Sequence, residues 1–340
     1  MVVFGAGASY DSAPHRRGNY EFRLPLANQL FADRLRFSLW IQRFPRCNAV
    51  IPYLRQTSGS SVESELERLR FEAQTNPSRI KQLAAVQFYL QSMLWECETL
   101  WEREEARGVT NYKTLLDQIE SWRREVKEEI CPVTFNYDTM LEDALPVVDI
   151  TIHDLPDYVS SDYYKVAKLH GSTNWAHRVN AEVKDIRNRN AIDVANELIE
   201  RRADLNVLQD FLIIQSPLGD PNRPLPSEVP WFPALAIPVE NKQDYECPEA
   251  HREELRNCIP DVTGILLIGW RATEKTFLQL LKDNLRGRVQ MMAVNGSEAS
   301  SKETMGRLVQ EGIRGILHTT KSGLSDFVTH REVDDFLRLI

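Results

Sequence analysis

The sequence predicts an α/β fold: a doubly wound parallel sheet with helices on both faces and an inserted helical subdomain. Three observations carry that prediction. Short apolar runs alternate with helical patterns near both ends of the 340-residue chain, the order that joins parallel strands through crossover helices. One run, Gly264-Ile265-Leu266-Leu267-Ile268, is continuously apolar, as expected for a strand buried on both faces. Polar clusters stand at the ends of such runs, and ligands of open parallel sheets sit beyond the carboxyl ends of the strands.

The first strand, Val2-Val3-Phe4, begins almost at the start of the chain, and the expectation is that no element precedes it. That start has neither the basic region nor the long apolar segment of a secretory signal. Gly5-Ala6-Gly7-Ala8-Ser9 follows, where glycines permit a tight turn and let backbone N–H groups approach an anion. Residues 25–127 are expected to form the helical insertion. Ser60-x-x-Glu63 has the pattern of a capping box ahead of Leu66 and Leu69. Val86, Leu90, Leu94, Cys97 and Trp101 recur at helical spacing. So do Tyr112, Leu115, Leu116, Ile119, Trp122, Val126 and Ile130, behind Thr110 and Asn111 as N-caps. These stripes read as helix–helix core rather than as cofactor contacts. Glu102-Arg103-Glu104-Glu105 reads as a solvated helix face.

Alternation resumes at Cys131-Pro132-Val133-Thr134-Phe135, before a helix through Met140, Leu141 and Ala144. Residues 149–152 and 165–169 are further strand candidates. Residues 1–24 and 128–340 thus supply the sheet core, interrupted by a second insertion at 176–260. That insertion carries a polar helix over 194–208 and a proline-rich stretch over 217–238, read as a long ordered loop and a candidate lid. Beyond it, the strand at 264–268 ends at Gly269 before a helix through Phe277, Leu278 and Leu281. Met291-Met292-Ala293-Val294 ends at Asn295-Gly296, Ile313-Arg314-Gly315-Ile316-Leu317 is the last strand, and Ser325-Asp326-Phe327 opens the terminal helix.

A net charge of −8 argues against a broad basic surface for nucleic acid. The five cysteines are scattered and include no Cys-x-x-Cys pair, so neither a disulfide framework nor a zinc ribbon is expected, and a reducing cytoplasm is. No apolar run approaches the ~20 residues that span a bilayer. Cys247 and His251, with Cys258 nearby, are the metal candidate; a fourth ligand is missing, and a packed cysteine with a solvated histidine is preferred. No metal is expected.

The residues that could carry chemistry are few. Gly5-x-Gly7 lacks the third glycine of the dinucleotide fingerprint, because position 10 is Tyr10, and no acidic residue closes a second strand; hydride transfer is disfavoured. The Asn136 carboxamide offers a donor and an acceptor, which suits a ribose diol or a positioned water. Asp138 either orients Asn136 or caps the helix that follows. His170 can take a proton near neutral pH, and its polar neighbours argue against a core role. Ser172 and Asn174 are candidate ligand contacts, while Trp175 either walls a pocket or packs.

In that order, GAGAS, TFNYD and KLHGSTNW resemble the sirtuin superfamily, whose GAG-x-S, Asn-x-Asp and His-Gly segments surround one NAD site. Gly269-Trp270 and Asn295-Gly296 resemble the family's adenosine-side loops. The resemblance spans the Rossmann-like core, about half of the chain. It implies Asn136, His170 and Asp138 as catalytic residues, with NAD contacted by Gly5, Ala6, Gly7, Ser9, Gly171, Ser172, Asn174, Gly269, Trp270 and Asn295. The departures matter as well. The paired zinc cysteines are absent, Ser12-Ala13-Pro14-His15-Arg16-Arg17 replaces an Ile-Pro-Asp-Phe-Arg segment, and Phe135-Asn136-Tyr137-Asp138 replaces Gln-Asn-Ile-Asp. These speak against acyl-lysine binding and resemble the bacterial sirtuin-like proteins of anti-phage defence, which hydrolyse NAD. Residues 211–220, 233–239 and 323–327 share the flavour of that branch.

The resemblance therefore implies a cytoplasmic NAD hydrolase that breaks the nicotinamide–ribose bond. The leaving pyridinium becomes neutral and needs no general acid, so the task is to stabilise an oxocarbenium-like centre and deliver water. Alternatives are an NAD-dependent deacylase or ADP-ribosyltransferase, or a non-catalytic NAD-sensing subunit. By analogy such an activity is gated by homo-oligomerisation or by a partner such as a ring-forming ATPase, with no membrane or direct nucleic-acid contact.

Overall fold

The computed structural model of the chain describes residues 1–13, 21–55, 61–215, 229–239 and 245–340. They fall into two compact units. The first combines Met1–Leu24, Glu98–His170 and Lys242–Ile340, and the second combines Pro25–Cys97 and Gly171–Asn241. Residues 98–127 therefore belong with the sheet, although the sequence placed them in the helical insertion.

Strands β1 (Val2–Phe4), β2 (Pro132–Thr134) and β3 (Ala167–Lys168) lie in the first unit. β4 (Gly171–Asn180), β5 (Asn206–Val207), β6 (Leu212–Ile213) and β7 (Trp231–Leu235) lie in the second. The chain returns to the first unit for β8 (Gly264–Ile268), β9 (Val289–Val294) and β10 (Gly315–Thr319).

The sheet of the first unit has the order β10-β9-β8-β1-β2-β3. Every neighbouring pair is parallel. Order steps outward from β1 in both directions, so the topological switch lies between β1 and β8. This is the doubly wound, Rossmann-like arrangement that the sequence predicts. β1 and β8 are buried along their whole length, which explains their unbroken apolar sequence. Burying each such Leu, Ile or Val contributes about 1.5–3 kcal/mol.

The helix Asn111–Val126 starts where Thr110 Oγ1 accepts the Lys113 N–H at 3.3 Å, and it buries the stripe Tyr112, Leu115, Leu116 and Ile119. No strand forms over 149–152. A 3₁₀ helix, Glu142–Val148, contains Pro146 and ends at Asp149 with φ +62°, so the chain leaves it in an irregular connection. The terminal helix is broken into Leu324–Thr329 and Glu332–Leu337, with Arg331 at φ +55° between them.

In the second unit β4 pairs antiparallel with β5, β6 and β7. Phe88 of the helix Pro77–Leu100 packs on Trp231 and Phe232 with ring centroids 6.1 and 5.1 Å apart. The helix expected over 194–208 spans Ala191–Arg201 and is amphipathic, burying Val194, Ala195, Leu198 and Ile199. Part of the expected proline-rich loop is β7, and 217–228 lies outside the described residues. The capping box sits one residue later than expected. Ser61 Oγ accepts the Ser64 N–H at 3.0 Å, and Ser64 Oγ accepts the Ser61 N–H at 3.0 Å. Ser60 and residues 14–17 lie outside the described residues. Among the described residues no helix is long and apolar enough to cross a membrane.

Candidate active site

The site is built where β1, β2, β3 and β8 end. β1 runs into Gly5, which precedes the short helix Ala6–Tyr10, and β8 runs into Gly269 at φ +60°. These two loops touch across the switch point. A β-carbon on Gly5 would lie 2.6 Å from Gly269 O and 2.7 Å from Trp270 Cα, and one on Gly269 would lie 2.1 Å from Ala8 N. The glycines are therefore demanded by backbone packing. The N–H groups of Gly5, Gly7 and Ala8 already donate to Ile268 O, Gly269 O and Gly5 O at 2.9, 3.0 and 2.9 Å. The sequence assigned the turn's amides to an anion; three of them bond within the chain.

Asn136 follows β2, where Thr134 Oγ1 accepts its backbone N–H at 3.1 Å. The carboxamide Nδ2 faces Gly5 O at 3.0 Å, Ser9 Oγ at 3.0 Å and Tyr112 Oη at 3.1 Å. A backbone carbonyl can only accept, so the contact with Gly5 O fixes which way the amide points. Its Oδ1 accepts no hydrogen bond among the described residues. The carboxamide oxygen of Asn136 is thus left as an acceptor.

Beneath Asn136 lies a buried polar cluster. Ser9 Oγ and Tyr112 Oη are 2.9 Å apart. Burial first, then the charge of Asp138, raises the Tyr112 hydroxyl far above its ordinary range, so it remains a phenol. Asp138 does not cap the helix that follows, whose N-cap is Leu141; its Oδ1 accepts the Met140 N–H at 3.2 Å within the turn, and its carboxylate accepts from Ser9. Burial pushes this carboxyl up, opposed by the nearby Lys168 charge and by those hydrogen bonds. Glu98 Oε2 accepts the Thr139 N–H at 2.9 Å and closes the turn.

His170 stands just past β3, held by Leu169 N donating to Thr134 O and Glu246 N donating to Leu169 O, both at 3.0 Å. Its ring is buried, 4.9 Å from that of Phe135 and 6.4 Å from that of Tyr137. Both residues flanking Asn136 thus have their rings near the imidazole. Phe135 stacks on Trp270 at 5.5 Å and meets Phe277 edge-on at 5.2 Å.

Other expected contacts are differently engaged. Trp270 is buried, and its indole N–H donates to Glu274. Asn295 Nδ2 donates to Thr304 Oγ1 at 3.0 Å, and Thr304 Oγ1 donates to Trp270 O at 3.1 Å, which ties the β8 and β9 loops together. Gly171, Ser172 and Asn174 lie in β4 of the second unit. Gly171, at φ +83°, lets the strand approach Ala234, whose O would be 2.0 Å from a β-carbon. Ser172 is buried, and Asn174 is half-buried with Oδ1 unpartnered among the described residues. Trp175 packs edge-on to Phe211 at 5.9 Å.

His251 is not solvated as expected. It is fully buried against Tyr158, ring centroids 4.9 Å apart, and its Nδ1 accepts the Lys168 N–H at 3.2 Å. Burial lowers its pKa to about 4, and burial pushes the Cys247 thiol up to about 12. Among the described residues no group of three or more His, Cys, Asp and Glu could hold a metal ion.

Sequence reasoning missed Tyr112, Glu98, Glu142 and Lys168. A lysine inside the apolar run Val166-Ala167-Lys168-Leu169 was the one signal that stood in the open. The hydroxyl of Tyr112 was hidden in a stripe read as core. No protein-family model matches the chain, and no curated protein does either.

Proposed function

We propose that the chain hydrolyses NAD at the nicotinamide–ribose bond, with Asn136 and His170 as the catalytic pair. The observation that carries this reading is the hydrogen bonding of Asn136 to Gly5 and Ser9, with the His170 ring close to those of Phe135 and Tyr137, the neighbours of Asn136 in the chain. Three polar segments from three adjacent parallel strands meet at the carboxyl ends of a doubly wound sheet, where ligands of this fold bind.

In the proposed reaction the C1′–N bond breaks and its electron pair returns to the nicotinamide ring, which leaves neutral. Water adds its oxygen to C1′ and gives up a proton, yielding ADP-ribose. Asn136 Oδ1 accepts from a ribose hydroxyl or from that water. His170 takes the proton and passes it to solvent. Asp138, through Ser9, keeps Asn136 in place. The Gly5–Gly7 turn and the Gly269 loop border the pyrophosphate.

From the family resemblance we further propose a role as effector of bacterial anti-phage defence, in the cytoplasm, gated by self-association or by a partner such as a ring-forming ATPase. The test is nicotinamide release from NAD by the purified chain, alone and with products of neighbouring genes. Asn136→Ala and His170→Ala should each lower the rate by about 10²–10⁴-fold. Full activity in both variants overturns the assignment. Capture of ADP-ribose on protein or on acyl-lysine would favour transfer or deacylation, and NAD binding without release would favour a sensor.

A further inference from the structure

Lys168 is the last residue of β3, an edge strand of the sheet, yet its side chain is fully buried. The helix Glu249–Cys258 lies against β3, and His251 on that helix accepts the Lys168 N–H. A lone buried ammonium is costly, so its partners are informative. Nζ pairs with Glu142 Oε1 at 2.8 Å and donates to the backbone carbonyl of Asp138. Glu142 Oε1 also accepts the Tyr158 hydroxyl at 2.8 Å. One side chain, two residues before His170, thus grips the segment that carries Asn136 at two points, Asp138 and Glu142.

A buried ion pair adds little stability over packed apolar residues, and fixing one arrangement is its better-attested use. We propose that Lys168 is a positioning residue: it clamps the Asn136–Glu142 segment to the strand end bearing His170 and sets the direction of the Asp138–Ser9–Asn136 hydrogen bonds. This rests on Asn136 and His170 being the reacting pair.

The direction follows from charge. An ionised Asp138 accepts the Ser9 hydroxyl proton, which leaves the Ser9 lone pairs to Asn136 Nδ2. A protonated Asp138 would compete for those lone pairs as a donor. The groups facing Asp138 are Lys168 from β3, Glu142 from the 3₁₀ helix, Ser9 from the first helix and Tyr112 from the helix Asn111–Val126. Lys168 favours the anion and Glu142 disfavours it. Removing Lys168 and removing Glu142 should therefore move Asp138 in opposite directions, and with a positioning role the pH profile of turnover follows those shifts, which a purely structural role would not produce.

The experiment uses the full chain with Lys168→Met and Glu142→Gln. Two quantities are read: the Asp138 carboxyl titration by ¹³C NMR, and the pH profile of nicotinamide release. Lys168→Met should raise the Asp138 midpoint and move the acid limb of the profile upward. It should also lower kcat about 10- to 100-fold at pH values above both midpoints, with KM little changed. Glu142→Gln keeps an acceptor for Lys168 and should shift both readings downward. Unmoved midpoints, shifts of one sign in both variants, or an unchanged kcat in Lys168→Met overturn the proposal. If Lys168→Met does not fold, Glu142→Gln decides alone: a downward shift supports the clamp, and any other result overturns it. If the wild-type chain releases no nicotinamide, the hydrolase reading fails, while the NMR titration still tests the clamp.

Discussion

The orientation of the Asn136 carboxamide is fixed because Gly5 O, a pure acceptor, sits 3.0 Å from its Nδ2. The near-isosteric Asn136→Asp would set a carboxylate oxygen against that carbonyl. It should lose activity as fully as Asn136→Ala, and it should also destabilise the fold by about 1–3 kcal/mol in urea denaturation. A stable Asn136→Asp variant would contradict the assigned amide orientation. His251 offers a separate test. Its pKa of about 4 lies below the ordinary 6.5, so the folded state favours the neutral ring. Stability from this burial is complete above pH 6.5 and is lost as pH falls toward 4, by about 3 kcal/mol. Urea midpoints measured from pH 7 to 4 should show that loss in the wild type, and His251→Gln should flatten it. The sequence could name Asn136 and His170 because a carboxamide and an imidazole at strand ends are chemically conspicuous. It left open whether Asn136 donates or accepts, since that depends on Gly5, 131 residues away.

Elements legible in the sequence were those whose pattern is local. β1 and β8 announce themselves by unbroken apolar runs, and the helix Asn111–Val126 by its cap and stripe. Residues 149–152 failed because Asp149 takes a left-handed conformation after Pro146, which apolar content does not reveal. At this scale the glycines separate cleanly. Gly269→Ala should abolish folding or cost more than about 4 kcal/mol, because its β-carbon would strike backbone of the first turn. Gly296→Ala should stay within about 0.5 kcal/mol, since nothing lies within 4 Å of its β-carbon. Thermal melts of the two variants decide this, and equal losses would contradict the loop contact. The same helix Asn111–Val126 carries Glu120, held down to about 2 by Arg123 first, then by Arg124 and Tyr164. That stabilisation is present above pH 4.5, the ordinary value, and fades as pH falls through 2. Glu120→Gln should be less stable than the wild type at pH 7, with the gap closing at acid pH.

As a whole, the molecule consists of two compact units, each assembled from separate stretches of chain. A ligand that binds only the folded state stabilises it by about 2.7 kcal/mol at a hundredfold excess over Kd. With His170→Ala suppressing turnover, saturating NAD should raise the melting midpoint of the chain, and an unmoved midpoint would remove NAD as the ligand. The sequence by itself determined the fold class and the three polar segments, because strand burial, helical periodicity and strand-end chemistry are written in neighbouring residues. The tertiary structure decided what those segments do to one another. Gly5 and Gly7 close against Gly269, Tyr112 crosses from a helix to Asn136, and Lys168 reaches the Asn136 segment from the strand of His170. Each is a contact between residues far apart in the chain, so only their packing into one sheet end could select it.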